Sequence, residues 1–212
     1  MLGIGEYGAA PGLLNRFIRF ETFYAAFQYI GLAQNGIPYM AVGRNLAYRK
    51  SFFLRHGGFD AFRGRLSGDD DLLINAYARG RHTRVMISPE SRTLSEAKTQ
   101  FREWISQKRR HLSASNRYTL GTRALLGLFH FSHLFFYAGI LLSLGLAPTT
   151  AMLAFSLYIA RLGLSGMIFA SIDLRPETRG LLAYYPILDL LFFVYNLSVV
   201  PAGIMMKPEW KK

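Results

Sequence analysis

Apolar and polar positions follow a helical period over residues 11–35. Leu13, Phe17, Phe20, Tyr24 and Phe27 share one side, and Asn15, Arg19 and Thr22 form a polar stripe. Arg16, Arg19 and Glu21 argue against a span through lipid. The spacing predicts a core helix, with an interfacial amphipathic helix as the alternative. Gly36-Ile37-Pro38 ends it. Tyr39 to Tyr48 then reads as a strand, in which Gly43 marks close approach of another group to the backbone. Arg44 and Asn45 are polar groups within that otherwise apolar run. Lys50 to His56 reads as a short helix closed by Gly57-Gly58, and Phe59 to Leu66 as a basic loop with Arg63 and Arg65. Leu72 to Ala78 continues as a helix. Thr83 to Ser88 is a second short strand, stopped by Pro89. Thr99 is the predicted N-cap of a helix running to Leu112, with Phe101, Trp104, Ile105 and Leu112 on its apolar face. Gln107, Arg110 and His111 are neighbours on the other face, because positions three and four apart adjoin on a helix.

From residue 124 the pattern changes. Residues 124–147 hold no Asp, Glu, Lys or Arg, and as a helix they would reach roughly 36 Å, enough for a hydrocarbon core of about 30 Å. Residues 150–172 form a second candidate span, interrupted by Arg161. Residues 181–204 form a third, carrying Pro186, Asp189, Asn196 and Pro201. If the second and third form a hairpin around Asp173–Gly180, Arg161 and Asp189 lie roughly 16 and 12 Å from that loop. Ionisable groups inside a membrane need partners, so an Arg161–Asp189 pair is expected. Arg175 and Arg179 predict a cytoplasmic loop between these segments. Three full crossings would then put Lys207, Lys211 and Lys212 outside. A third segment that is re-entrant or interfacial removes that conflict, and its two prolines and Asp189 favour this.

Charge sharpens the division. The chain of 212 residues has a net charge of +12. Residues 1–123 hold 19 Lys plus Arg against 9 Asp plus Glu, and residues 124–212 hold 6 against 4. A basic domain over 1–123 and a membrane region over 124–212 follow, the first suited to an anionic membrane surface or to phosphorylated substrates. No helix-turn-helix, zinc-finger or RNA-binding signature is visible, so nucleic acid is not an expected partner. The chain has no Cys, which excludes disulfides and Cys-ligated metals. Met1 to Gly8 lacks the charged region and apolar core of a signal peptide and reads like the middle of a domain.

Ser67-Gly68-Asp69-Asp70-Asp71-Leu72 is the one acidic run in this basic half. Adjacent carboxylates repel, and a fold keeps them where something offsets the cost. A helix N-terminus accounts for one or two of them; a general base at the mouth of a site accounts for another. The basic helix that follows can be a headgroup-facing surface, or a diphosphate clamp through the two-pronged geometry of Arg.

Gly68-Asp69-Asp70, then Gln107-Lys108-Arg109-Arg110-His111, then apolar spans, resembles the second half of membrane-bound, inverting family 2 glycosyltransferases. These include the hyaluronan, chitin and cellulose synthase relatives. Their catalytic half carries a Glu/Asp-Asp pair, a Gln-x-x-Arg-Trp motif on a helix beside the membrane, and transmembrane segments. Arg44 to Lys50, with Gly57-Gly58-Phe59, looks like the family's acceptor-side strand and the turn beyond it. The resemblance implies an α/β, partial GT-A-like catalytic domain, few strands plus helices, followed by an α-helical membrane region. It implies that Asp70 is the catalytic base, with Asp69 and Asp71 supporting it. Gln107, Arg110 and His111 correspond to the diphosphate and acceptor contacts, His111 standing where the family has Trp. Gly43, Arg44 and Asn45 fall on the acceptor side. The family's first half supplies the nucleotide-binding strands and an Asp-x-Asp metal site. No such site precedes Asp69, so a divalent metal (Mg or Mn) is expected only for a complete enzyme, its ligands mostly in that other half. No metal ligand is assigned here, Asp71 included. The chain is accordingly expected to be a C-terminal piece or one half of a split enzyme.

The implied partners are a nucleotide-sugar donor, a carbohydrate or lipid-linked acceptor, membrane lipids and a separate N-terminal half. The implied location is a bacterial inner membrane with the catalytic region cytoplasmic. Two readings from other classes compete. One is a non-catalytic membrane-anchored interaction protein or partner subunit of a split synthase. The other is a transporter subunit using Arg161 and Asp189. Asp70→Asn separates them, because it removes transfer only under the first reading.

Overall fold

The structure is a computed structural model, and it describes residues 1–58, 60, 68–171 and 176–205. The basic loop with Arg63 and Arg65, together with Arg175, Lys207, Lys211 and Lys212, lies outside the described residues. Helices dominate. In chain order the elements are β1 (Leu2–Gly3), β2 (Gly5–Tyr7), α1 (Leu13–Gln34), α2 (Lys50–Arg55), α3 (Asp69–Tyr77), β3 (Val85–Met86) and β4 (Thr93–Ser95). There follow α4 (Phe101–Ala114), α5 (Leu120–Ser143), α6 (Pro148–Ser171), α7 (Pro176–Arg179) and α8 (Tyr185–Met205). β1 pairs in parallel with β3, and β2 in parallel with β4.

α1 stops where the sequence said it would, and for a visible reason. Gly36 has φ +85°. Its N–H bonds Ala33 O at 3.1 Å, and the Ile37 N–H bonds Leu32 O at 2.8 Å. This is the left-handed glycine stop that satisfies a helix's last carbonyls. The polar stripe of α1 does not face water. Asn15 accepts from the Ala10 N–H at 3.0 Å and donates to Gly8 O at 3.1 Å, and Arg19 is buried. Asn15 thereby fastens the helix to the segment after β2. Leu13 and Phe27, expected on the apolar face, are exposed instead.

Two cores result. The first packs Phe17, Phe20 and Phe23 of α1 with Trp104 of α4, Phe169 of α6, and Tyr185, Phe192 and Tyr195 of α8. Phe20 is fully buried, which stabilises the fold by about 1.5–3 kcal/mol. The second core lies under the short strands, where Leu2, Ile4, Tyr29, Ile30, Tyr39, Leu72, Ile74 and Tyr118 meet. A buried ion pair at 3.0 Å between Glu6 and Arg92 ties β2 to the chain entering β4.

Three expectations need correction. Residues 39–48 are not a strand. Gly43–Asn45 is a 3-10 turn, and Leu46 makes only an isolated bridge to Leu2. Side chains take the backbone groups that a ladder would have used. Arg44 donates to Gly5 O at 2.7 Å, and Asn45 donates to Ile4 O and Ser91 O, both at 2.8 Å. The acceptor-side strand proposed for Gly43, Arg44 and Asn45 is therefore a turn. The helix after Thr99 begins at Phe101 with Gln100 at the cap position, no side-chain cap bond, and an end at Ala114. The expected strand 83–88 shortens to Val85–Met86.

The three apolar segments are helical. Leu120–Ser143, Pro148–Ala170 and Gly180–Met205 are each long and apolar enough to cross a membrane. The last opens with a 3-10 turn at Gly180–Tyr184 before α8.

Candidate active site

Gly68 sits in the left-handed region at φ +94°, and a Cβ there would come within 2.6 Å of Ala114 Cβ. A glycine is what lets the chain turn against the end of α4 and enter α3. The acidic triplet consequently occupies the first turn of α3, beside the helix that carries Gln107, Arg110 and His111.

The three carboxylates have three environments. Asp69 is exposed. Asp70 accepts from the Gly43 N–H at 2.6 Å through Oδ2 and from the Asp71 N–H at 2.9 Å through Oδ1. Burial pushes its carboxyl up from the ordinary range, against the pull of those two bonds. Gly43 is required for this contact, since a Cβ on it would lie 2.9 Å from Asp70 Oδ2. Asp71 points inward and accepts from the Tyr118 hydroxyl and the Ala41 backbone. Burial first, and the Asp70 charge second, push it up to about 7.

Asp71 thereby makes stability depend on pH. Its ordinary value is 3.8, so between about pH 4 and 7 the folded state holds a proton that the unfolded chain has released. Stability is then highest in acid and declines as pH rises through that window, by roughly 1–3 kcal/mol. Melting in detergent micelles between pH 5 and 8 should show this decline. Asp71→Asn should flatten it, and an unchanged slope would remove Asp71 as its source.

α4 presents its polar face next to this turn. Gln107 donates to the Tyr7 hydroxyl at 3.4 Å, and the Arg44 guanidinium stacks over the Tyr7 ring at 4.2 Å. Lys108 pairs with Glu21 of α1. Arg110 is exposed and makes no ion pair among the described residues. The His111 ring reaches the surface but is crowded by protein. That crowding, then Lys108, Arg110 and Arg44, pushes it down to about 4, so it is neutral near pH 7. Asp70, Arg44, Gln107 and His111 thus line one region through Gly43 and Tyr7, although Asp70 bonds none of the other three. Asn45 serves the fold by bridging Ile4 to Ser91.

Two participants had no sequence signal. Tyr7 lies on a three-residue strand too short to show alternation, and Tyr118 sits in an irregular link between helices. Among the described residues no group of three His, Asp or Glu could hold a metal ion. Both oxygens of Asp70 accept backbone N–H groups, and Asp71 Oδ1 is buried with no hydrogen-bond partner among the described residues.

In the apolar region Arg161 and Asp189 meet. Arg161 Nη2 donates to Asp189 Oδ1 at 3.0 Å and Nη1 donates to Oδ2. The Tyr137 hydroxyl also donates to Oδ2.

A carboxylate at the edge of a cationic helix, followed by helices long and apolar enough to cross a membrane, keeps the order of motifs on which the resemblance rests. The family model described as glycosyl transferase family group 2 matches residues 10–172. The chain belongs to that family, and glycosyl transfer is its class of chemistry. Neither the curated proteins nor the solved structures give a match.

Proposed function

We propose that this protein transfers a sugar, with inversion, from a nucleoside diphosphate donor to an acceptor hydroxyl at the cytoplasmic face of a bacterial inner membrane. The observation that carries the reading is Asp70: a partly buried carboxylate, raised in pKa and fixed by the Gly43 N–H, beside the basic face of α4. Each of its oxygens accepts one backbone hydrogen bond, and a carboxylate has further lone pairs. One of these can take the proton of an acceptor hydroxyl. As that oxygen bonds to the anomeric carbon, the bond from that carbon to the diphosphate oxygen breaks, and the electron pair leaves with the diphosphate. Attack from the face opposite the leaving group inverts the centre. A base of this kind contributes about 10²–10⁴-fold.

Arg110 and the cations around it would meet the charge gained by the leaving diphosphate. His111, a flat neutral ring near pH 7, suits a carbohydrate or lipid-linked acceptor. The parallel strand pairs support an α/β catalytic portion of the GT-A kind. In this proposal the nucleotide-reading strands and the divalent metal of the resemblance belong to a further segment or a partner chain. No step at the residues above passes through a metal.

The test is transfer by membranes containing the protein, supplied with a panel of labelled nucleoside diphosphate sugars. Product with the anomeric configuration opposite to the donor's supports the reading. Retained configuration, or no transfer above control membranes, overturns it.

A further inference from the structure

Tyr7 touches two residues that the resemblance assigns to the site, and it does so with different parts of its side chain. Its hydroxyl accepts from Gln107 Nε2 at 3.4 Å. Its ring carries the Arg44 guanidinium at 4.2 Å, a cation held over an aromatic face. Tyr7 ends β2, and β2 is well anchored. The strand pairs in parallel with β4, with Tyr7 opposite Ser95. The Gly8 N–H bonds Ser95 O at 2.9 Å. The preceding residue, Glu6, is held in the buried ion pair with Arg92.

Arg44 is laid across the same strand. It donates to Gly5 O at 2.7 Å, and a Cβ on Gly5 would come within 2.2 Å of Arg44 Nε. The glycine thus leaves the room that the guanidinium stem needs to reach the Tyr7 ring. Next to Arg44 in the chain is Gly43, whose N–H holds Asp70 at 2.6 Å. Asp70, Gly43, Arg44, Tyr7 and Gln107 therefore make one continuous run, from the first turn of α3 to the polar face of α4. Tyr7 is where that run passes from the turn to the helix.

The chemistry of the contact gives it a direction. A glutamine amide has a donor end and an acceptor end. With Nε2 committed to Tyr7, the Gln107 carbonyl Oε1 is the end left to accept a sugar hydroxyl. An untethered amide would meet a substrate with either end and would lose rotamer freedom on binding it.

We propose that Tyr7, clamped on β2 by the Arg44 guanidinium, is a positioning residue that orients the Gln107 amide for sugar transfer. The proposal rests on the transfer reaction assigned to Asp70. Tyr7 acts through Gln107, and small misplacements of such groups are costly in group transfer.

Tyr7→Phe keeps the ring beneath Arg44 and removes only the hydroxyl. It should lower kcat/KM for transfer about tenfold and leave the melting temperature near that of the native protein. Gln107→Met should cost at least as much. Tyr7→Phe added to Gln107→Met should cost nothing further, the mark of a residue that acts through another. Native kcat/KM in Tyr7→Phe, or the same fall whether or not Gln107 is present, overturns the proposal. A second readout does not depend on transfer. Labelling the glutamine side-chain amides with nitrogen-15 reports Gln28, Gln34, Gln100 and Gln107, and Gln107→Met identifies the Gln107 signal. In detergent micelles, Tyr7→Phe should move that signal toward the position of a freely solvated amide and leave the others in place. A Gln107 signal that does not move equally overturns the proposal. Absence of transfer from the native protein would instead sink the reaction assigned to Asp70, and the amide signal would still decide whether Tyr7 orients Gln107.

Discussion

Asp70→Asn is expected to lower sugar transfer by about 10²–10⁴-fold, equivalent to roughly 3–5 kcal/mol of transition-state stabilisation. The substitution keeps the shape of the side chain and removes its basicity. The loss should fall on kcat, with the donor KM little changed, because the proton is taken only as the new bond forms. Folding has to be followed alongside. Asp70 accepts one N–H on each oxygen, and the amide turns a donor toward one of them. Gly43→Ala separates position from basicity. Its Cβ would displace the carboxylate without neutralising it, giving a smaller fall in rate. Asp69→Asn, on an exposed side chain, should leave the rate near that of the native protein. Full activity in Asp70→Asn would reduce Asp70 to a tether between α3 and the Gly43 turn, and would favour the non-catalytic interaction reading.

What the sequence disclosed depended on the length over which a pattern could repeat. α1, α5 and α6 run for 22 to 24 residues, and their periods or apolar runs are visible without a structure. β1 to β4 have two or three residues each, too few for alternation to register. Residues 39–48 misled for a different reason. Their composition suits a strand, but Arg44 and Asn45 spend their side chains on the backbone of Ile4, Gly5 and Ser91, and sequence alone does not show which neighbours lie within reach. The same holds for the candidate site. Spacing placed Gln107, Arg110 and His111 on one helix face. The contacts that Tyr7 and Tyr118 make to Gln107, Arg44 and Asp71 join segments more than 35 residues apart, and no local pattern announces them. A hairpin argument could set Arg161 and Asp189 at compatible depths, because a helix advances by a fixed rise per residue. Tyr137 and His133 carried no such signal; they reach Asp189 and Asn196 only because α5 packs on α8.

Asp189→Leu is expected to cost about 3–5 kcal/mol, the effect of breaking a buried ion pair from one side. Asp189 is fully buried. It takes both guanidinium nitrogens of Arg161 and the Tyr137 hydroxyl, with His133 Nε2 3.7 Å from Oδ1. Asn196 in turn lies 3.1 Å from His133 Nδ1. Without the carboxylate, the guanidinium is left against the Phe136 ring, 4.9 Å away, among apolar helices. Such a loss is a large part of the 5–15 kcal/mol that holds a typical domain folded, so the yield of folded protein in membranes should drop sharply. Arg161→Leu should do similar damage by stranding the carboxylate. The double variant Arg161→Leu/Asp189→Leu should recover most of the yield, because replacing both members of a buried pair with apolar groups is often neutral or stabilising. The charge swap Arg161→Asp/Asp189→Arg should recover less. It restores the pair but turns a cation toward His133 and the Tyr137 hydroxyl, which are arranged to serve a carboxylate. Detergent-resistant folded protein and melting temperature across the five forms test the ranking. Wild-type yield and melting in Asp189→Leu alone would show that the three helices are held together by their aromatic contacts, with the ion pair incidental.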